Sequence, residues 1–192
     1  MGAFDGERTL RWLKPHKWTA TLQRRPDAAL SFADDAPPTG EALLLDTCVY
    51  ADILQNTAPP SLDRHLGGRQ IQHSTVTLAE LTHLLGRLQP DHPSTPETRR
   101  RLLMQMEHIP ARRLHAPDAA VMGAAGVLAG MLFRTQGYAK GQEYRVLHDA
   151  VLFLQARQQG WTVLTRNVGD FDLLQQMVPD GRVLFYRPTA AA

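Results

Sequence analysis

The chain has 192 residues, 43% of them hydrophobic and 21% charged, which suits a single globular domain with a real core. Its one cysteine, Cys48, excludes an internal disulfide and fits a reducing compartment. A net charge of +2 is too small to mark a nucleic-acid binder by itself.

No run approaches the ~20 uninterrupted apolar residues of a membrane span, so none is expected. The longest candidate, Ala119 to Phe133, is rich in Ala and Gly and reads as a buried helix. The N-terminus lacks an apolar signal core, so a cytoplasmic location is expected. Basic residues gather locally. Arg8, Arg11, Lys14, Lys17, Arg24 and Arg25 have no acidic residue among them, and Arg99-Arg100-Arg101 and Arg112-Arg113 follow. Such runs are solvated faces in one reading and phosphate or acidic-partner contacts in the other.

Residues 1–40 hold Pro15, Pro26, Pro37, Pro38 and Gly40 without a sustained hydrophobic period, and read as an irregular N-terminal extension. Trp12 and Trp18 within it call for a covering surface. Leu43-Leu44-Leu45 then runs straight into Asp46, the pattern of a strand buried on both faces. Asp46 ends that strand, where open α/β sheets bind ligands, but Asp46 or Thr47 also suits a helix cap. A helix is expected over Val49 to Gln55, then a loop with one helical turn at residues 57–70 and a strand at Gln70 to Ser74. Leu78, Leu81, Leu84, Leu85 and Leu88 have helical spacing, and Thr77 with Glu80 matches a capping box.

Pro96 opens a helix running to about Glu107, and Arg113 to Ala116 is a short strand candidate. Pro117-Asp118 precedes the Ala/Gly helix, and Gly137 to Arg145 is a polar loop. His148-Asp149 is read as a helix start, with Gly160 ending that helix. Trp161 to Thr165 is a clear strand, Arg166 to Asp170 a loop, Phe171 to Met177 a helix and Arg182 to Tyr186 a last strand. Alternating strands and helices predict an α/β fold, a mostly parallel sheet between two helical layers.

Asp46, Glu80, Asp149 and Asp170 all fall beside strand ends or on helix starts. Converging there, they would repel one another and favour a hard divalent cation with oxygen ligands. Such a site orients a water for in-line displacement at phosphorus. Each acid alone reads equally as a cap or capping-box residue.

Four segments together carry a resemblance: Leu44-Leu45-Asp46-Thr47-Cys48-Val49, Ser74 to Leu81, His148-Asp149-Ala150, and Val163-Leu164-Thr165-Arg166-Asn167-Val168-Gly169-Asp170-Phe171. In this order they resemble the PIN-domain family, most closely the VapC-like toxin ribonucleases. The resemblance implies a three-layer PIN-like domain over residues 41–188 after the extension at 1–40. It implies a metal-dependent endoribonuclease that cuts single-stranded RNA, with Mg²⁺ or Mn²⁺ held by Asp46, Glu80, Asp149 and Asp170. It implies a homodimer and a cognate antitoxin. Thr165 and Asn167 match supporting polar positions, and Thr47 joins them as a neighbour of Asp46. Arg166 is a candidate phosphate contact or carboxylate partner. A non-catalytic or regulatory RNA-binding module is the alternative, and a different α/β phosphotransfer enzyme is disfavoured by the lack of a Gly-rich phosphate loop.

The extension and the loop from Gly137 to Arg145, with Lys140 and Arg145, depart from the family pattern. Asp52 is expected to be exposed and Asp118 to start a helix. His148 reads as a cap or surface residue ahead of a general base. Cys48 reads as a buried structural thiol, and no histidine spacing suggests zinc.

Overall fold

The computed structural model describes residues 4–189. Five parallel strands form one sheet in the order β3-β2-β1-β4-β5. They are β1 (Leu43–Leu45), β2 (Ile71–Ser74), β3 (Leu114–His115), β4 (Thr162–Thr165) and β5 (Arg182–Phe185). Helices α2 (Thr47–Gln55), α3 (Pro60–Gly68), α4 (Thr75–Arg87) and α5 (Thr95–Glu107) lie between β1 and β3 in the chain. Helices α6 (Ala119–Gln136) and α7 (Glu143–Gln159) precede β4, and α8 (Val168–Met177) precedes β5. The chain order reverses between β1 and β4, which makes their carboxyl ends the topological switch point where such sheets bind ligands.

Strand side chains alternate between faces, so each central strand feeds two cores. Leu44, Val163, Val183 and Phe185 pack with α6, α7 and α8. Leu43, Leu45, Leu164 and Leu184 pack with residues of α2 to α5, among them Val49, Leu62, Leu81 and Leu102. The result is the three-layer α/β architecture, with a sheet that is parallel throughout. Each fully buried Leu or Phe in these cores stabilises the fold by roughly 1.5–3 kcal/mol.

Helix α6 is long and apolar enough to cross a membrane by length and composition. In the fold one face of it, including Val121, Ala125, Leu128 and Leu132, is buried in the core shared with α7. Its small residues allow that close packing.

Two local expectations are corrected. Residues 57–70 contain a nine-residue helix rather than one turn. Pro60 supplies a preset first position, and Leu62 and His65 bury on one face. Helix α7 begins at Glu143, so Asp149 lies inside the helix instead of opening it. Gly160, with φ +71°, ends it as expected.

The segment before β1 is laid mainly over the first core, beside α6 and α8. It forms α1 (Gly6–Leu13), capped by the Asp5 side chain and packed on α6 through Thr9 and Leu13. Arg25 then clamps Asp172 of α8 through its backbone N–H (2.8 Å) and its Nε (2.6 Å). Phe32 pairs in parallel with Phe185, covering the free edge of β5. Trp18 packs partly on this core. Trp12 stays half-exposed, with the Arg157 guanidinium 4.5 Å over its ring.

Candidate active site

Asp46 leaves β1 in extended conformation and becomes the cap of α2. Its Oδ1 accepts from the Thr47 N–H at 2.6 Å. Its Oδ2 accepts from the Thr165 hydroxyl at 2.6 Å and from the Cys48 thiol at 3.0 Å. The cap and the candidate ligand are thus one residue, held by strands β1 and β4 together. Burial pushes the Asp46 carboxyl up from its ordinary value, and the nearby Glu80 adds to this against the hydrogen bonds.

Glu80 sits in the second turn of α4. The capping-box expectation fails, because Ser74 is the cap and bonds Val76 N–H at 3.1 Å. Thr77 turns inward and donates to the Leu45 carbonyl at 3.3 Å, docking the start of α4 on the end of β1. Glu80, three residues on, shares that face. It accepts from the Thr47 hydroxyl and from His148 Nδ1 at 2.7 Å. Burial raises the Glu80 carboxyl, but His148 and Thr47 outweigh it and hold it below the ordinary range. The bond to Glu80 raises the His148 imidazole in turn. His148 is therefore a site residue, not a helix cap.

Asn167 ties the remaining two acids. Its backbone N–H donates to the Thr165 hydroxyl oxygen at 2.9 Å. Its side-chain Nδ2 donates to Asp149 Oδ2 at 3.1 Å and to Asp170 Oδ2 at 2.9 Å. Its Oδ1 caps α8 by accepting the Asp170 N–H at 3.3 Å. Asp149 is buried and accepts no other hydrogen bond among the described residues. Desolvation raises its carboxyl well above the ordinary value, and the charges of Asp46, Asp170 and Glu80 raise it further.

All four predicted acids are thus joined in one hydrogen-bonded chain, Glu80–Thr47–Asp46–Thr165–Asn167, with Asn167 reaching both Asp149 and Asp170. Thr47, Thr165 and Asn167 are its connectors. Arg166 stands apart: its guanidinium pairs with Asp52 at 3.2 Å. Asp52 is fully buried, against the expectation of exposure, because Tyr186 (2.6 Å) and Thr57 (3.1 Å) also donate to it.

Three participants went unassigned in the sequence reading. Cys48 donates its thiol to Asp46, and burial followed by the Asp46 charge pushes that thiol up, keeping it protonated for the task. Tyr138 donates to Asp170 Oδ1, and Arg145 pairs with Asp170 Oδ2 at 3.1 Å. Tyr138 lies between α6 and α7 and Arg145 in the first turn of α7, both within the Gly137–Arg145 stretch whose unusual length and charge were the available signal.

The donors suit a hard divalent cation: Asp46 and Asp149 are buried carboxylates raised by burial and by neighbouring acids, with no sulfur or imidazole cluster among the described residues. Among the described residues no three such side chains stand ready to share one ion. The pairing explains this, since His148 holds Glu80 and Arg145 holds Asp170. Asp46 and Asp149 are the two without a cationic side chain bonded to them. One or two carboxylates plus waters is an ordinary shell for Mg²⁺.

No family model and no curated protein matches this sequence. Solved structures do. The VapBC2 structure from Rickettsia felis, bound to a DNA fragment from its promoter, is similar over 76% of this chain and 98% of that chain, at 16% identity and a TM-score of 0.51. The FitAcB structure from Neisseria gonorrhoeae is similar over 74% and 96%, at 21% identity and a TM-score of 0.51. Likeness at these identities concerns the fold, and it agrees with the PIN-like three-layer architecture.

Proposed function

We propose that this chain is a metal-dependent endoribonuclease that cleaves single-stranded RNA, acting as the toxin of a toxin–antitoxin pair. The observation that carries the reading is the continuous chain linking Glu80, Asp46, Asp149 and Asp170 at the switch point. The fold shared with VapBC2 and FitAcB supports a toxin–antitoxin role and a cognate antitoxin. The homodimer and the cytoplasmic setting rest on the sequence alone.

Asp46 and Asp149 are the residues that would hold Mg²⁺ or Mn²⁺, with Glu80 and Asp170 as the further carboxylates of the site. When bound, the ion supplies charge neutralisation and an activated water for in-line attack on phosphorus. The chain does the rest. Thr47, Thr165 and Cys48 fix both oxygens of Asp46. Asn167 spaces Asp149 from Asp170. His148 keeps Glu80 ionised. The stiff β1 and β4 strands beneath hold these groups in place.

The separation of the acids favours one second reading, an RNA-binding module without turnover. Incubating an RNA pool with the chain, with and without Mn²⁺, separates the two. Fragments that form only with the ion support the nuclease. Binding with a steep salt dependence and no fragments supports the module.

A further inference from the structure

A site made of carboxylates repels its own substrate. An RNA phosphodiester is an anion, and it must reach Asp46 and Asp149 past Glu80 and Asp170. Binding energy from a cation at the rim would offset that repulsion. Arg166, His148 and Arg145 are cationic side chains at or beside the site, and His83 lies near Glu80. Arg166 is anchored through Nη1 on the buried Asp52, which stands outside the four-acid chain. His148 is spent on Glu80. Arg145 differs in being anchored on one of the four acids: its Nη2 bonds Asp170 Oδ2 at 3.1 Å, and its other guanidinium nitrogens bond nothing among the described residues. Its side chain is 56% exposed. A guanidinium carries five N–H donors in a fixed fork, so most of its capacity faces solvent.

The placement is also specific. Arg145 and Asp149 are four residues apart on α7 and so share one face of that helix. A phosphate on Arg145 is thereby brought beside Asp149. Asp170, for its part, is over-determined. Tyr138 takes its Oδ1, and Asn167 and Arg145 share its Oδ2. A carboxylate so fully engaged is well suited to aim an arginine, since anchoring one tooth of the fork restrains an otherwise mobile side chain.

Resting on the nuclease reading, we infer that Arg145 is the phosphate clamp of this site: an RNA backbone phosphate docks on the guanidinium donors that Asp170 leaves free. Asp170 and Tyr138 are its positioning pair. The Gly137–Arg145 segment, one of two that depart from the family pattern, supplies both the clamp and half of its support.

The test uses the full chain and two readouts. In EDTA, binding of a fluorescent oligoribonucleotide is followed as salt rises, for wild type, Arg145→Gln and Arg145→Lys. Loss of one phosphate contact lowers the slope of log K against log salt by ~0.7, and Lys keeps it. With Mn²⁺, Arg145→Gln raises KM on the order of tenfold or more, with kcat changing less, as fits losing a charge-assisted hydrogen bond. Asp170→Asn shifts KM the same way by less, and Arg145→Lys recovers part of the loss. An unchanged salt slope in Arg145→Gln overturns the inference. So does faster turnover, which would make Arg145 a plug. Absence of turnover in wild type defeats the nuclease reading, yet the salt slope still decides whether Arg145 holds phosphate.

Discussion

The Tyr186 hydroxyl donates to the Asp52 carboxylate at 2.6 Å, joining the chain after β5 to the middle of α2. Thr57 and Arg166 complete the shell of this fully buried acid. Removing the carboxylate leaves the buried Tyr186 hydroxyl only the Cys48 sulfur at 3.7 Å and releases the loop of Arg166 and Asn167 from α2. Asp52→Ala should therefore cost about 2–3 kcal/mol in urea denaturation. A loss under about 0.5 kcal/mol, the usual range for surface changes, would show that the network is not structural.

Asp149 works against stability while serving the site. Desolvation and three neighbouring carboxylates penalise its ionised form. Asp149→Asn keeps the shape and removes the charge. In EDTA at pH 7 its melting temperature should rise by about 2–4 °C, as expected for about 1 kcal/mol in a chain of this size. The same variant should cut no RNA. A fall in melting temperature would mean that the charge is better compensated than described.

His73 sets an acid limit. Tyr50 bonds its Nδ1, and burial, with Arg113 and His115 nearby, lowers its imidazole from 6.5 to about 4. The unfolded chain then binds more protons than the folded one between these values. Stability from this group is complete above about pH 6.5, falls as pH drops toward 4 and levels off below. Denaturation midpoints of wild type and His73→Gln, compared at pH 7.5 and 5, should converge at the lower pH. A gap that widens on acidification contradicts this.

Two glycines should respond oppositely to alanine. A Cβ at Gly181 would lie 2.1 Å from the ring of Phe153, which is fully buried. The ring has nowhere to go, so Gly181→Ala should cost about 1–3 kcal/mol. A Cβ at Gly123 would lie 2.2 Å from the Phe4 ring, which is half-exposed near the chain start and can swing aside. Alanine also favours the helix by about 1 kcal/mol, so Gly123→Ala should be neutral or mildly stabilising. Thermal melts of the two variants decide both.

The sheet was legible because buried parallel strands announce themselves: Leu43-Leu44-Leu45 and Thr162-Val163-Leu164-Thr165 are continuous and bounded by turn signals. The four acids were legible by order and neighbours. What surrounds them was not. Asp52 looks like any exposed helix acid until Tyr186 arrives from 134 positions away. Glu80 fits a capping box by spacing, and only the inward turn of Thr77 onto Leu45 shows otherwise. The start of α7 was misplaced because Glu143, Tyr144 and Arg145 continue the polar run from Gly137, and the charge of Arg145 serves Asp170 rather than marking a loop. Tyr138 and Arg145 act through long-range contacts that no local pattern encodes.

The most direct measurement is the rate at which purified full-length chain cuts single-stranded RNA in Mn²⁺ and in EDTA, for wild type and Asp46→Asn of matching melting temperature. Wild type should cut only with the ion, and Asp46→Asn should be slower by at least ~10³-fold, on the scale of losing a central catalytic group. Cleavage by Asp46→Asn at the wild-type rate, or wild-type cleavage undiminished in EDTA, would contradict a cation-dependent site built on Asp46.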